Sequence, residues 1–110
     1  MQLRTYVLID RMQPQYAALT GKITQGEVPV EGDAELYIEV APAADIYTVM
    51  DLALKTTKVR AGSLAVEREY GSLEIHSAYQ EAVLEAGRHA LDVMGLTEAL
   101  AKERAQIQLL

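Results

Sequence analysis

Ala61–Ser77 reads AGSLAVEREYGSLEIHS, two short apolar runs around a polar turn at Arg68–Gly71. Leu64 and Val66 alternate with Ser63, Ala65 and Glu67. Leu73 and Ile75 alternate with Ser72, Glu74 and His76. A period of two gives each run one buried face and one wetter face. Gly71 is free to take a positive φ, so a tight connection is expected there. The product is an antiparallel hairpin with Glu67, Arg68 and Glu69 crowded at its tip. Three charges on one tip make either a solvated turn or a functional surface, and the hairpin alone does not choose.

The flanking segments extend the pattern. Upstream, Asp45–Thr57 (DIYTVMDLALKTT) places Ile46, Val49, Met50 and Ala53 on one helical stripe. Asp45 is expected to cap its start, and Lys55 and Lys58 suit its C-terminal end. Before it, Ala34–Ala41 alternates as a strand, with Leu36, Ile38 and Val40 inward and Glu35, Tyr37 and Glu39 on a wet face; Pro42 ends it. Leu3–Asp10 is β-rich and nearly continuous in apolar residues, as in a strand covered on both sides. Between those strands, Tyr16–Asp33 has no clean period and is expected to hold a short helical turn and a small excursion. Downstream, Ser77 and Gln80 form an S-x-x-Q capping-box pattern. The helix that follows carries Tyr79, Val83, Ala86, Ala90 and Val93 as its stripe, with Ala82 and Met94 beside it. Gly95 is its expected C′ residue, and Gly87 inside it predicts a close packing contact. Residues 96–110 are read as a helical extension or tail beyond a domain spanning residues 1–95.

The element order is ββαββα. Moving the first strand to the end gives βαββαβ, the ferredoxin-like split βαβ order, circularly permuted. The expected fold class is therefore α+β, a four-stranded antiparallel sheet with helices on one face. The other face stays partly open to a ligand or another subunit.

Composition narrows the function. The 110 residues make one domain. Cysteine, tryptophan and phenylalanine are absent, so the core is aliphatic and there is no thiolate nucleophile, disulfide or thiolate metal site. A net charge of −6 disfavours nucleic acid, because counterion release needs a basic surface. No apolar run spans a bilayer, and the N-terminal run lacks a signal peptide's length and cleavage site, so a cytoplasmic protein without membrane contact is expected.

Asp45–Leu91, with VMDLALKTTKVRAG, VEREYGSLEIHS and AVLEAGRHAL, resembles the bacterial microcompartment shell domain. The opening RTYVLIDRMQPQ, together with EVAPAADI and VEREYG, is similar to circularly permuted members, in particular one half of the tandem pore-gating type. The resemblance covers residues 3–95. It implies a structural shell protein, not an enzyme, with no cofactor. It implies flat six-fold or pseudo-six-fold tiles around a central, gated pore for metabolites. On that pattern Glu67 and Arg68 line the pore with Glu69 beside them, and Lys55 sits at the tile edge. The implied partners are copies of the chain and other shell proteins. A homohexamer is expected, with trimer-like or pentameric assembly as alternatives. The tandem relatives carry two fused domains and this chain has one.

Other constellations are sparse. Glu74 and His76 share a strand face, but two ligands are too few for a transition metal, so no metal site is assigned. His89 is read as a helix residue without a role. No nucleophilic triad, phosphate loop or dinucleotide fingerprint occurs, so no catalytic residue is assigned. Two rivals are a ferredoxin-like ligand-binding regulatory domain and a dimeric αβ-barrel enzyme. The enzyme would gather His76, Tyr37 and Glu74 in a pocket on the open sheet face.

Overall fold

The structure, a computed structural model, describes residues 2–55, 58–97 and 107–109. Its elements in chain order are β1 (Gln2–Ile9), α1 (Pro14–Ile23), β2 (Ala34–Ala41), a single 3-10 turn (Ala43–Asp45), α2 (Ile46–Leu54), β3 (Arg60–Glu67), β4 (Tyr70–Ser77), α3 (Gln80–Val93) and β5 (Ile107–Leu109). The sheet order is β3-β4-β2-β1-β5. The first four of these strands are antiparallel to their neighbours, as the permuted reading requires. A short fifth strand adds a parallel edge, with Tyr6 opposite Ile107 and Leu8 opposite Leu109. The helical alternative for the tail therefore fails at Ile107–Leu109, and residues 98–106 lie outside the described residues.

One sheet face is a dry aliphatic layer. Leu36 pairs with Ile75 and Ile38 with Leu73, and all four are fully buried. Val83, Ala86 and Ala90 of α3 and Ile46, Val49 and Ala53 of α2 close over them. Each fully buried Leu, Ile or Val contributes about 1.5–3 kcal/mol by leaving water, before chain entropy is subtracted. Gly87 faces this layer. A Cβ there would collide with Tyr6 Oη and Leu36 Cδ2, so the expected close helix–sheet contact is present. Tyr79 and Val93, the predicted ends of the stripe, are instead exposed, and Leu91 joins the buried set.

The helix ends differ in how local chemistry resolves them. Gly95 takes φ +74; its N–H donates to Asp92 O, and Leu96 N–H donates to Leu91 O. That is a Schellman C-cap. The two expected N-caps do not form. Asp45 has φ −67 and ψ −15, already helical, so its side chain cannot reach back to cap α2. Ser77 Oγ accepts from Tyr79 N–H, which leaves Tyr79 to open α3 with no side-chain cap.

Residues 14–23 form a full ten-residue helix where only a short turn was expected. Pro14 stands at the start of α1, where its missing N–H is not needed, and the Gln13 side chain accepts from Tyr16 N–H at 2.8 Å. The helix buries little, which is why its apolar residues show no period. The helices α2 and α3 share the aliphatic face; α1 reaches the opposite face through Tyr16.

Candidate functional site

The hairpin tip is built by register. Glu67 pairs with Tyr70, leaving Arg68 and Glu69 as the turn. Arg68 takes φ 52, so the left-handed residue is Arg68 and not Gly71 as expected. Gly71 lies inside β4, paired with Val66 and Val40, and its missing side chain serves another purpose. A Cβ on it would collide with Ala43 O and approach Ile46 Cβ and Cγ2 to 2.7 Å. The 3-10 turn is thereby seated directly on β4, next to the tip.

Glu67, Arg68 and Glu69 are all exposed and project from one end of the sheet. They border a hollow of about 480 Å³ with Tyr37, Glu39, Ala65, Tyr70 and Ser72. Its charged lining is three carboxylates and one guanidinium, so the tip is acidic. The Arg4 guanidinium carbon lies 4.4 Å from the Tyr70 ring centroid and ties β1 to the hairpin. Such a contact contributes about 0.5–1 kcal/mol at an exposed site.

Lys55 sits one residue past α2. Its Nζ is 2.8 Å from Asp51 Oδ2, one helical turn back, and both side chains are mostly exposed. An exposed i,i+4 pair contributes only about 0.3–0.5 kcal/mol, so folding does not depend on it.

The sheet face expected to be wet is not wet at its far end. Glu35, Glu74 and His76 are buried, because α1 and the loop after it cover them. Cross-strand pairing puts Glu35 opposite His76 and Tyr37 opposite Glu74. His76 Nδ1 is 3.0 Å from Glu74 Oε1, and Gly62 N–H donates to the same oxygen at 3.1 Å. Tyr16 Oη donates to Glu35 Oε1 in a short hydrogen bond. Burial, then hydrogen bonding and repulsion from Glu74, raises the Glu35 pKa to about 8, against the pull of Tyr16. Burial and the Glu35 contact also push the Tyr16 phenol upward. The period-two pattern of β2 could not reveal this, since what covers the face comes from an aperiodic segment.

Tyr37 and His76, which the rival enzyme would gather in one pocket, border different hollows. Tyr37 lines the hollow at the hairpin tip, while His76 lines a separate one of about 560 Å³ with Lys58, Arg60 and Tyr79. Glu74 and His76 spend their facing atoms on each other. Among the described residues no group of three or more His, Cys, Asp or Glu side chains is arranged to hold a metal ion. Among them, too, no helix is long and apolar enough to cross a membrane. His89 is half-buried on α3.

Known proteins match both the fold and the sequence. The carboxysome shell protein CsoS1D of Hydrogenovibrio crunogenus is 48% identical over 92 residues, covering 84% of this chain and 45% of that protein. The carboxysome shell protein CcmP of Synechococcus elongatus is 43% identical over 98 residues, covering 89% and 46%. Two solved structures from the RMM microcompartment also match, at 44% and 43% identity. They are the fused permuted hexameric shell protein MSM0275 (TM-score 0.81) and the double ringed trimeric shell protein MSM0271 (TM-score 0.79). Each alignment covers 86% of this chain, and 46% and 45% of those chains. The chain thus spans about half the length of the relatives it matches. A family model described as the CsoS1D N-terminal domain matches residues 3–100, and the chain belongs to that family of microcompartment shell domains.

Proposed function

We propose that this chain is a structural tile of a bacterial microcompartment shell, not a catalyst, with residues 1–95 as the tile and residues 96–110 as an extension. Six copies of the domain close around an axis with Glu67, Arg68 and Glu69 facing it, and metabolites cross there. The partners are further copies of the domain and other shell proteins. The observation that carries this reading is the acidic tip: three exposed charges on a left-handed Arg68 turn, held by a glycine-seated β4, in a chain of shell-domain ancestry. A ring of carboxylates repels itself, and an arginine beside each offsets this. An exposed pair of this kind nets about 0.2–1 kcal/mol, close to thermal energy, so two side-chain arrangements can coexist at the pore.

Native mass spectrometry tests the ring first. A particle of six domains supports it, and a stable dimer of this chain overturns it. Arg68→Ala is then expected to leave an all-acidic ring and to lower small-anion flux through reconstituted shells on the order of tenfold. Unchanged flux and pore shape in both Arg68→Ala and Glu67→Ala would remove these residues from the pore.

Lys55 is assigned to the edge between tiles. Lys55→Asp is expected to abolish extended sheets in electron micrographs while shifting stability by less than about 1 kcal/mol, since only a surface pair is lost. Normal sheets from this variant would show that Lys55 serves α2 alone.

A further inference from the structure

Residues 12–33 leave the sheet after β1 and return to it as β2, lying over the polar face. They are fixed there by two carboxylates. Tyr16 of α1 donates to Glu35. The loop after α1 hangs from β3: Gln25 and Gly26 N–H donate to Gly62 O, and Glu27 N–H donates to Ala61 O. That stretch of β3 is irregular, and Gly62 N–H is held by Glu74 Oε1.

Glu35 and Glu74 are diagonal neighbours on adjacent strands. Glu35 is only 3% exposed, yet its Oε2 has no hydrogen-bond partner among the described residues. Two ionised carboxylates here would repel in a site that water does not reach. A proton on Glu35 Oε2 resolves both problems, because the acid O–H can donate to Glu74. Every link is then a donor meeting an acceptor: Tyr16 to Glu35, Glu35 to Glu74, His76 Nδ1 and Gly62 N–H to Glu74.

We propose that residues 12–33 are a proton-controlled flap over the polar sheet face, closed while Glu35 carries a proton that it donates in a hydrogen bond toward Glu74 and loosened when that proton leaves. This goes beyond the shell role and does not depend on it. The groups facing the pair are Tyr16 from α1, whose phenol also meets Thr20, Tyr37 on β2, His76 on β4 and, across from His76, Arg60 on β3. Opposite Glu35, β1 offers only Ile9. Glu27 and Asp33 of the loop border the hollow beside His76.

The direction follows from linkage. In the closed flap the Glu35 pKa is raised from 4.5 to about 8. With the flap open the carboxyl is hydrated and titrates near its ordinary value. The closed state therefore binds the proton more tightly, so closure is strongest below about pH 4.5, weakens up to about pH 8, and levels off beyond. The closing equilibrium falls about tenfold per pH unit inside that window, on the order of 100-fold between pH 6 and pH 8.

Hydrogen exchange of the full chain at pH 6 and pH 8, corrected for intrinsic rates, tests this. Peptides within residues 14–33 are expected to lose on the order of 100-fold protection relative to α3 peptides. Glu35→Gln keeps an acceptor for Tyr16 and a donor for Glu74 without a titrating proton, so its flap protection is expected to be independent of pH. Should Glu35→Gln fail to fold, Glu74→Gln gives a second readout: its amide donates to Glu35 and the repulsion is gone, so the pH slope of flap protection is expected to be clearly shallower than in the native chain, the remainder coming from the burial of Glu35. Flap protection that tracks α3 at both pH values in the native chain overturns the proposal, as does the native pH slope persisting in the glutamine variant that folds.

Discussion

Gly71→Ala is expected to lower the stability of the fold by about 2–3 kcal/mol, a large effect for adding one methyl group. The methyl would point at Ala43 O and at Ile46 Cβ and Cγ2, atoms of the 3-10 turn and of the start of α2. Neither neighbour is the end of a flexible side chain, so relief requires moving backbone. Ile46 is fully buried among Val49, Leu73 and the rest of the core, so the displacement spreads inward. Alanine also stiffens the unfolded chain, which returns about 0.4–1 kcal/mol, and the range above is net of it. Gly71→Asn separates two roles for this glycine. Were a left-handed φ the reason, asparagine would be tolerated better than alanine. With close approach as the reason, the larger asparagine is the worse of the two. Urea denaturation of both variants, with unchanged slope, measures the difference, and a loss under about 0.5 kcal/mol for alanine would contradict the geometry.

How far the residues foretold the structure depends on whether the deciding interaction is local. Leu36, Ile38, Val40, Leu73 and Ile75 announce their strands because one buried face imposes a period of two, and all five are fully buried as that pattern requires. Gly95 announces the end of α3 because only a left-handed residue completes the C-cap. Gly71 was misread because turn and close approach both select glycine, and only the tertiary contact distinguishes them. Asp45 and the Ser77–Gln80 pair carried good cap chemistry, but the 3-10 turn and the path of Ser77 into Tyr79 put the backbone out of reach. The helix α1 was hidden because it is set by Pro14 and Gln13 rather than by a buried stripe. Its concealment had a second consequence: with no cover foreseen, Glu35, Glu74 and His76 read as a wet face. The charges of the tip, by contrast, were plain in the chain, since exposed turns need nothing distant. On the proposed reading their meaning lies in contacts between copies, which one copy does not contain.

Glu74→Ala is expected to be the most damaging change on the polar face, lowering stability by about 3 kcal/mol or more. Glu74 is 6% exposed and accepts from His76 Nδ1 and Gly62 N–H; on the proposed arrangement it also accepts a hydrogen bond from the protonated Glu35. Its removal strands three polar groups in a buried layer, and the irregular stretch of β3 that carries the loop of residues 25–27 loses its anchor. Glu74→Gln distinguishes charge from connectivity. Its amide oxygen still accepts from Gly62 and His76, and its amide nitrogen donates to Glu35, so the geometry survives. Its stability is expected to stay within about 1 kcal/mol of the native chain at neutral pH. The two variants should part in their pH behaviour as well. In the native chain Glu35 binds its proton more tightly when folded, so stability declines from about pH 4.5 to pH 8 through this group. With glutamine at position 74 the repulsion is removed and a donor faces Glu35 while its burial remains, so that decline should become shallower. Chemical denaturation of the native chain and Glu74→Gln at pH 5, 6.5 and 8 reads the slope directly. Parallel slopes would mean that the proton on Glu35 is not what holds the two strands' carboxyls together, whatever the alanine variant shows.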